Sequence, residues 1–370
     1  MPTTESHVRA GLLAGLGLML AAACPVAAAT CYPASAEQPL ESELVLNTSG
    51  GTYWEAFRSA FLDSFERDCG VRVKTLVSAR HSFAQFKGYV QRGRVPYDLT
   101  YTAVPWEVAE AKRGGLIEPL PEDFWAPIAG QLLDGSYDRY GTWLSAYAEV
   151  LIYNREVFPE GLHSWADFFD LQRFPGPRTL KDSPYSLVIA LLADGVAAED
   201  IHPLDDAKLR RAFSRLDQLR PAIRSFWAGG GDEPVQGVQR GDFVAGVAQS
   251  GRALAGLRQG YDIGVSWRQN LFDEAWIFRA KGARHPRAAA ALLFYINDPA
   301  RQAAFARLTG YGAAPKDSAA YLAAEDVRHL STAPDNLARA ARIDLAWWQA
   351  NGARVQTLWR EWVATGKVSL

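Results

Sequence analysis

The sequence contains few of the residues that metal and redox chemistry require. Its 370 residues include only three cysteines and six histidines. The histidines stand singly along the chain, without spacing of the HExxH kind that holds zinc. Neither a Walker motif nor a glycine-rich dinucleotide motif occurs. We therefore expect no cofactor and no metal site.

An excess of one charge sign is also absent. The 39 lysines and arginines nearly balance the 41 aspartates and glutamates, which gives a net charge of −2, and the two signs are interspersed. A protein that binds nucleic acid usually carries a basic stripe or tail. Because neither is present, nucleic acid is not an expected partner.

Only one long apolar run occurs, and it lies at the N-terminus. Arg9 precedes an uncharged stretch, residues 10–36, which contains GLLAGLGLML and has small residues at 26–29. A positive start, an apolar centre and an Ala-x-Ala exit predict a secretory signal peptide over residues 1–29, cleaved near Ala29, and hence a periplasmic protein. Two alternatives stay open. One is an uncleaved anchor, since about 20 apolar residues span a bilayer, and the other is a lipoprotein acylated at Cys24.

Cleavage near Ala29 leaves two cysteines, Cys31 and Cys69. In an oxidising periplasm these two can form a disulfide. A bridge requires Cα atoms within about 7 Å of each other, a separation that the sequence does not specify. Two free thiols are therefore the alternative.

Strand and helix patterns alternate in the first part of the mature chain. Apolar runs at 44–46, 71–77 and 97–101 indicate strands, and amphipathic patterns at 54–67 and 104–113 indicate helices. This alternation predicts an α/β architecture with a mainly parallel sheet. Ligands of such sheets bind at the carboxyl ends of the strands.

The mature chain is also longer than a single domain of roughly 100–200 residues, so two lobes are expected. The carboxyl ends of the first three strands place residues 48–53, 78–82 and 102–106 on one rim of the first lobe. Further along the chain, residues 146–154 are apolar and extended, and residues 263–265 and 275–278 indicate two separate short strands.

Several sequence strings resemble one known family when they are taken in order. Between Leu144 and Val196 the strings SAYAEVLIYNREVF, SWADFFDLQRFPGPRTLKDSP and IALLADGV follow one another. LNTSGGTY, YDL and GGLIEPL precede them, and WIF, KGA and IDLAWW follow. In this order and spacing the chain resembles substrate-binding proteins of bacterial ABC importers, specifically the spermidine/putrescine-type group of the type II periplasmic binding proteins.

The resemblance implies an α/β fold of two lobes, each a central mixed sheet flanked by helices, with hinge strands between them. The expected limits are residues 40–147 plus 275–317 for the first lobe and 148–274 plus 318–370 for the second. Such a protein is not an enzyme: a ligand that touches both lobes favours their closed arrangement. Its expected partners are a small-molecule ligand and the permease subunits of an ABC importer in the inner membrane, and the protein itself is expected to be a monomer.

The resemblance also implies a set of ligand-binding positions. Polyamine binders hold ammonium groups with carboxylates and enclose the methylene chain between aromatic rings. By matched position the acids are Asp182 and Glu274, and the principal aromatic residue is Trp106. The full predicted set is Ser49, Gly50, Tyr53, Trp106, Asp182, Tyr185, Gln249, Arg252 and Glu274. The expected ligand is a polyamine-like cation or a zwitterion, although these acids could be surface groups and the aromatic residues could be interlobe packing.

One segment departs from the family pattern. Residues 249–252, Gln-Ser-Gly-Arg, stand where relatives commonly have Trp-Asn-Gly, so one aromatic wall is missing. Arg252 and the Arg80–His81 pair add positive charge near the expected cleft. Together with the backbone N–H groups at Gly50–Gly51 they could hold a carboxylate or phosphate. An anionic or amino-acid-derived ligand is therefore the alternative.

Two other functions have to be compared with that of a transport receptor, a sensory protein and an enzyme. A sensory binding protein would have the same fold and dock on a membrane receptor. An enzyme on this scaffold is disfavoured because Ser250 lacks the G-x-S-x-G context of a nucleophile turn. The adjacent acids Asp273 and Glu274 would also point to opposite faces of a strand and could not act together.

Overall fold

A computed structural model describes residues 31–32, 39–78, 83–228 and 231–370. The predicted signal peptide, including Cys24, and the Arg80–His81 pair lie outside the described residues. Within these ranges, no helix combines the length and apolar character needed to cross a membrane.

Strands and helices alternate along most of the described chain. The strands are β1 (Glu43–Thr48), β2 (Arg72–Val77), β3 (Leu99–Thr102), β4 (Tyr137–Asp138), β5 (Gly141–Asn154), β6 (Arg178–Lys181), β7 (Ile223–Trp227), β8 (Ala245–Gln249), β9 (Ile263–Arg279) and β10 (Ala341–Arg342). The helices are α1 (Thr52–Phe57), α2 (Asp63–Cys69), α3 (Phe83–Gln91), α4 (Pro105–Arg113), α5 (Trp165–Phe169), α6 (Ser186–Ala193), α7 (Asp206–Leu219), α8 (Asp232–Arg240), α9 (Ser250–Arg258), α10 (Pro286–Tyr295), α11 (Pro299–Thr309), α12 (Ala324–Val327), α13 (Pro334–Ala338) and α14 (Leu345–Thr365). A π-helical segment, Arg58–Leu62, joins α1 to α2.

The strands form one mixed sheet in the order β2-β1-β3-β9-β5-β8-β6-β7, with β10 paired to β9 and β4 to β5. At one end β1 runs parallel to β2 and β3, and at the other end β6 runs parallel to β7 and β8. The two central strands, β5 and β9, are antiparallel to their neighbours β8 and β3 and to each other. The predicted α/β fold with two lobes is confirmed.

The central strands β5 and β9 join the two lobes. They pair from Gly141 opposite Phe278 to Asn154 opposite Ile263. β3 pairs with the last part of β9, and β8 pairs with the last part of β5. The prediction of two short strands at 263–265 and 275–278 is wrong, because they are the ends of one strand. Polar residues between these two ends hide the strand pattern in the sequence. In addition, a register shift between Glu149 and Leu151 leaves residues 267–270 of β9 without pairing partners on β5.

Each lobe has an apolar core of its own. In the first lobe, helices α1, α2 and α10 pack on β1 and β3, with Phe57, Phe61 and Leu292 completely buried. In the second lobe, α6 and α7 pack with the long C-terminal helix α14. The chain crosses between the lobes a third time near Gly312, whose backbone exchanges hydrogen bonds of 2.7 and 3.0 Å with that of Ala146.

Helix α14 is fixed to the second lobe by the indole N–H groups of three buried tryptophans. Trp359 donates to Asp182 at 2.7 Å, and Trp362 donates to Asp217 at 2.7 Å. Trp348 donates to Nε2 of His202 at 2.9 Å. Because buried indole N–H groups are costly without an acceptor, these bonds determine how the helix lies on the lobe.

Cys31 and Cys69 form a disulfide, with a Cα–Cα distance of 5.7 Å. The bond connects the segment before β1 to the last residue of α2. The predicted pairing is therefore confirmed, and the alternative of two free thiols is wrong.

Burial of His202, which accepts the Trp348 indole N–H, should make the stability of the second lobe depend on pH. Burial lowers the pKa of His202 to about 4, whereas an unfolded histidine titrates near 6.5. Between these values the unfolded chain binds the extra proton, so the free energy of unfolding should fall as the pH is lowered from about 6.5 to about 4. Because the side chain is partly exposed and solvent screens part of the effect, the loss due to His202 should be about 1–2 kcal/mol.

The control is His202→Gln, which retains an acceptor for Trp348 and does not titrate. Urea unfolding of both proteins at pH 7 and pH 4.5 isolates the histidine from the carboxylates that also titrate in this range. Wild type should lose more stability than the variant. Equal losses in the two proteins would contradict this role for His202.

Candidate ligand-binding site between the lobes

Two buried carboxylates face the same side of the hinge. Tyr147 of β5 stands directly opposite Asp273 of β9, and Glu149, two residues further along β5, lies on the same face. The Tyr147 hydroxyl lies 2.8 Å from Oδ2 of Asp273, to which it donates, and 3.2 Å from the carbonyl oxygen of Ala103 in the first lobe. Glu149 is 1% exposed and Asp273 is 4% exposed, so both acids need partners inside the protein.

Lys181 supplies one of these partners. It is the last residue of β6, and its Nζ donates to Oε1 of Glu149. The same Nζ lies 5.8 Å from the ring centroid of Trp227, within the range of a cation–π interaction. Burial by itself would lower the pKa of Lys181, but the charges of Glu149 and Asp273 raise it above its usual value. The side chain therefore stays protonated, and Glu149 and Lys181 form a buried ion pair.

Among the described residues, Asp273 forms no ion pair of its own. Burial raises its pKa well above the usual range, and the charge of the neighbouring Glu274 adds to the effect. Lys181 and the hydrogen bond from Tyr147 oppose this shift without reversing it. An ammonium group brought to this face would favour the ionised form of Asp273.

Three polar atoms around the hinge face are buried without a hydrogen-bond partner in the described part of the chain. They are Oε2 of Glu149, the hydroxyl of Tyr185 and Nε of Arg252. A buried polar atom left without a partner costs about 1–3 kcal/mol. A polar ligand that supplied partners for these atoms would remove that cost.

Arg252 places positive charge in the first turn of α9. Its Nη1 lies 3.3 Å from Oδ1 of Asp232, which is largely exposed. The guanidinium also acts on the Tyr311 hydroxyl. Burial raises the pKa of this hydroxyl, and the charge of Arg252 partly opposes that shift. Lys181 acts on Tyr311 in the same way. Tyr311 thus lies within electrostatic reach of both cations.

Tyr311 provides an aromatic surface beside residues 249–252, the segment in which this chain lacks the tryptophan that is common in the family. A Cβ built on Gly251 would lie 2.6 Å from Cε1 of Tyr311, so the ring packs directly on this glycine. The ring of Tyr53 in α1 lies 5.8 Å from that of Tyr311, and the Tyr53 hydroxyl donates to Ser145 at 3.0 Å. Ser49 accepts a 3.0 Å hydrogen bond from the indole of Trp54.

Other predicted positions fall on the same rim. Gly50 precedes α1 with φ 73°, a backbone conformation that glycine adopts readily. Gln249 is the last residue of β8 and stands opposite Glu149 in the sheet register. Both lie at strand ends, where the α/β architecture places ligands.

Trp106 and Tyr185 meet across the two lobes. Trp106 lies in the first turn of α4, yet it packs against the core of the second lobe. Its ring centroid is 6.0 Å from that of Tyr185 in a T-shaped arrangement, and Tyr185 lies 4.9 Å from Trp348. The two predicted aromatic residues are therefore together, and the Tyr185 hydroxyl has no hydrogen-bond partner in residues 83–228 or the other described ranges.

The two acids predicted from the family positions lie away from this face. Glu274 follows Asp273 and so points to the opposite face of β9, where Nε1 of Trp276 lies 3.5 Å from its Oε1. Burial raises the pKa of Glu274. Asp182 accepts the indole N–H of Trp359. Their role as ligand contacts stays a prediction, and the geometry favours Glu149 and Asp273.

The sequence contained a signal for only some of the residues that the structure adds to the site. Glu149 is the one charged residue of β5, and burial of the whole strand is expected from its apolar pattern. Lys181 ends a strand, on the side where ligands bind. Tyr311 had no local signal, because only the third crossing of the chain brings it to α9.

A cavity of about 1220 Å³ lies elsewhere, between the start of β9 and residues 319–339. Its charged lining is mainly arginine, and it includes none of the predicted ligand-binding residues. It contains no buried carboxylate. We therefore take the hinge face, where the charges are buried and incompletely paired, as the candidate site.

Two α/β lobes on shared hinge strands, with buried charges between them, define a solute-binding protein that encloses a small polar ligand. Residues 60–334 match the family of bacterial extracellular solute-binding proteins, and the chain belongs to this family. It is an extracytoplasmic receptor that works with the permeases of an ABC importer and is not an enzyme.

Known relatives agree with this assignment. The chain is 31% identical over 337 residues to a gamma-aminobutyric acid-binding protein of Pseudomonas aeruginosa, which covers 90% of this chain and 94% of that protein. An ABC transporter substrate-binding protein from Bradyrhizobium japonicum is 27% identical with a TM-score of 0.79, over 87% of this chain and 99% of the other. A solved GABA receptor is 26% identical with a TM-score of 0.79, over 88% and 99%. These relatives support the class and not specifically its spermidine/putrescine-type group.

Proposed function

We propose that this protein captures a small zwitterion, an amino-acid derivative whose ammonium and carboxylate groups lie at opposite ends, and delivers it to an ABC importer. The observation that supports this most directly is the distribution of charge at the hinge face. Two buried carboxylates, Glu149 and Asp273, lie on the hinge strands, and the Tyr147 ring beside Asp273 is 6.3 Å from that of Tyr311, whose hydroxyl is within electrostatic reach of Arg252. Oε2 of Glu149 and Nε of Arg252 are both buried and have no partner within the part of the chain that the structure describes.

The ammonium group would bind between Glu149 and Asp273. Oε2 of Glu149 is available as an acceptor, and Lys181 already occupies Oε1. Hydrogen bonds from an ammonium group to a carboxylate are about twice as strong as those between neutral groups. The hydroxyls of Tyr147 and Tyr185 complete a polar surface around this end.

The carboxylate group would bind at Arg252. Its Nε is buried and finds no partner among the described residues, and its bond to Asp232 is with an exposed acid that can turn to solvent. A guanidinium binds carboxylates in a planar, bidentate geometry. The backbone N–H groups that open α9 lie beside it and favour negative charge. The rings of Tyr53 and Tyr311 would enclose the carbon chain between the two ends.

The related gamma-aminobutyric acid-binding protein supports a ligand of this type. A polyamine-like cation, the ligand expected from the sequence resemblance, shares the ammonium group but offers nothing to Arg252. We further propose that the receptor acts as a periplasmic monomer after removal of residues 1–29. The lobe limits given above, 40–147 plus 275–317 and 148–274 plus 318–370, belong to the same proposal.

Four compounds with the same four-carbon chain test this function. Isothermal titration calorimetry would compare 4-aminobutyrate, 1,4-diaminobutane, butylamine and butyrate. The zwitterion should bind tightest, by about 10-fold or more over each compound that lacks one of its charges, since a charge-assisted hydrogen bond contributes at least 1.4 kcal/mol. Tighter binding of 1,4-diaminobutane would support the polyamine-like ligand instead. Equal binding of butyrate and 4-aminobutyrate would contradict the assigned ammonium site.

A further inference from the structure

We propose that Lys181 determines which charge class of ligand the cleft accepts. Lys181 is a cation that belongs to the site and is paired with Glu149. Without it, a ligand would need two positive charges to neutralise Glu149 and Asp273, and with it the ligand needs only one. The cleft would therefore accept a zwitterion or monocation in preference to a diamine. This inference rests on the proposed function, because it concerns the same hinge face.

The position of Lys181 is fixed from two sides. Its Nζ donates to Oε1 of Glu149, and the ring of Trp227 lies 5.8 Å away. The lysine side chain keeps 21% of its surface exposed, whereas the carboxylate side chain keeps 2%. The ammonium thus reaches from the rim of the second lobe to the buried acid on the hinge strand. A ligand cation would approach the same acid from the cleft.

The charge count then follows from the groups on this face. With Asp273 ionised, Glu149 and Asp273 contribute two negative charges and Lys181 contributes one positive charge. One negative charge remains for the ligand to neutralise. A diamine would bring two positive charges, and its second ammonium would meet Arg252. Unbalanced charge in a buried site is costly.

Oε2 of Glu149 explains why the lysine does not simply block the site. Lys181 occupies one carboxylate oxygen and leaves the other buried without a partner in the described residues. A carboxylate accepts hydrogen bonds on both oxygens. Glu149 therefore holds the protein's own cation on one side and offers a place for a ligand's cation on the other.

The test compares wild type with Lys181→Met and Lys181→Arg, using 4-aminobutyrate and 1,4-diaminobutane as probes in calorimetry. Loss of the lysine charge should strengthen diamine binding by about 10-fold, the effect of one nearby charge at intermediate dielectric. The ratio of diamine to aminobutyrate affinity should rise at least as much. Lys181→Arg keeps the charge and should hold the ratio within about 3-fold of wild type.

A second variant separates charge from folding, because Lys181→Met leaves Glu149 as an unpaired buried charge. The double variant Lys181→Met/Glu149→Gln has no unpaired charge and restores the wild-type net charge. This double variant should bind both 4-aminobutyrate and 1,4-diaminobutane more weakly than wild type. Its ratio of diamine to aminobutyrate affinity should nevertheless return toward the wild-type value. Glu149→Gln alone leaves Lys181 uncompensated and should weaken diamine binding most.

The results distinguish this inference from the proposed function. If wild type fails to bind 4-aminobutyrate, the proposed ligand is wrong, while the change in diamine affinity of Lys181→Met still tests the lysine. If Lys181→Met binds the diamine no better than wild type, Lys181 does not select charge. If Lys181→Met fails to fold, the double variant Lys181→Met/Glu149→Gln provides the test. A ratio of diamine to aminobutyrate affinity that differs from wild type by 10-fold or more in this variant overturns the proposal.

Discussion

Replacing Asp273 by asparagine should weaken binding of 4-aminobutyrate by about 100-fold or more. Asp273 is buried, and its oxygens already accept hydrogen bonds from Tyr147 and from its neighbour's backbone N–H, so the carboxylate is held in one position. Truncating one partner of a buried, hydrogen-bonded charge pair costs about 2–5 kcal/mol. Asparagine keeps the shape of the side chain but cannot become negative when the ammonium arrives. Calorimetry at pH 7.5 would measure the loss.

Glu274→Gln is the matched control for this variant. It removes one charge from the adjacent residue, which points to the other face of β9 and contacts Trp276. Its effect on affinity should stay below about 5-fold, equivalent to less than about 1 kcal/mol. If Glu274→Gln abolished binding and Asp273→Asn did not, the family-based assignment of Glu274 would be right and the geometric assignment wrong.

Asp273 should also make binding depend on pH. Burial and the charge of Glu274 raise its pKa in the free protein, whereas a bound ammonium would lower it. Between the two values, ligand binding releases a proton, so affinity should increase with pH and weaken as the pH falls through the raised value. Asp273→Asn should have a flatter pH profile than wild type. Identical profiles for the two proteins would remove Asp273 from the site.

Reducing the disulfide should lower the free energy of unfolding by about 4 kcal/mol. Cys31 and Cys69 are separated by 38 residues, and closing a loop of that size removes about this much chain entropy from the unfolded state. The loop includes β1, α1 and α2, which form part of the core of the first lobe. Urea unfolding with and without dithiothreitol would measure the difference.

The double variant Cys31→Ser/Cys69→Ser is the control for the reductant. It should match reduced wild type in stability and should not respond to dithiothreitol. A difference of less than 1 kcal/mol between oxidised and reduced wild type would mean that the bond closes a segment which remains ordered without it.

Much of the fold could be predicted because its signals are local. The alternation of strand and helix patterns indicated the α/β class, and the helix predicted at 104–113 is α4, Pro105–Arg113. The helix predicted at 54–67 corresponds to α1, the π-helical segment and α2, which follow one another without a break. The sequence predicts two short strands in place of the long strand β9, because strand prediction depends on the alternation of side chains. The pairing of β9 with β5 and β3 depends instead on the backbone.

The candidate site was predictable only in part. The expected strand-end residues Gly50 and Gln249 lie at strand ends, and Trp106 and Tyr185 lie together, while their contact with a ligand stays a prediction. The acids were chosen by matched position, and the structure places Asp182 on an indole of α14 and Glu274 on the far face of β9. Which of two adjacent acids faces the cleft depends on the register of β5 against β9, a non-local quantity.

By itself the sequence determined the class of this protein: an extracytoplasmic α/β receptor with two lobes and no catalytic motif. Those properties follow from composition, local periodicity and the order of short strings. Only the tertiary structure decided the charge of the site, because its residues are far apart in the sequence. Glu149 lies on hinge strand β5, Lys181 ends β6, and Tyr311 lies at the third crossing between the lobes. Charges interact through space over a few ångströms, and their balance exists only once the chain has brought them together.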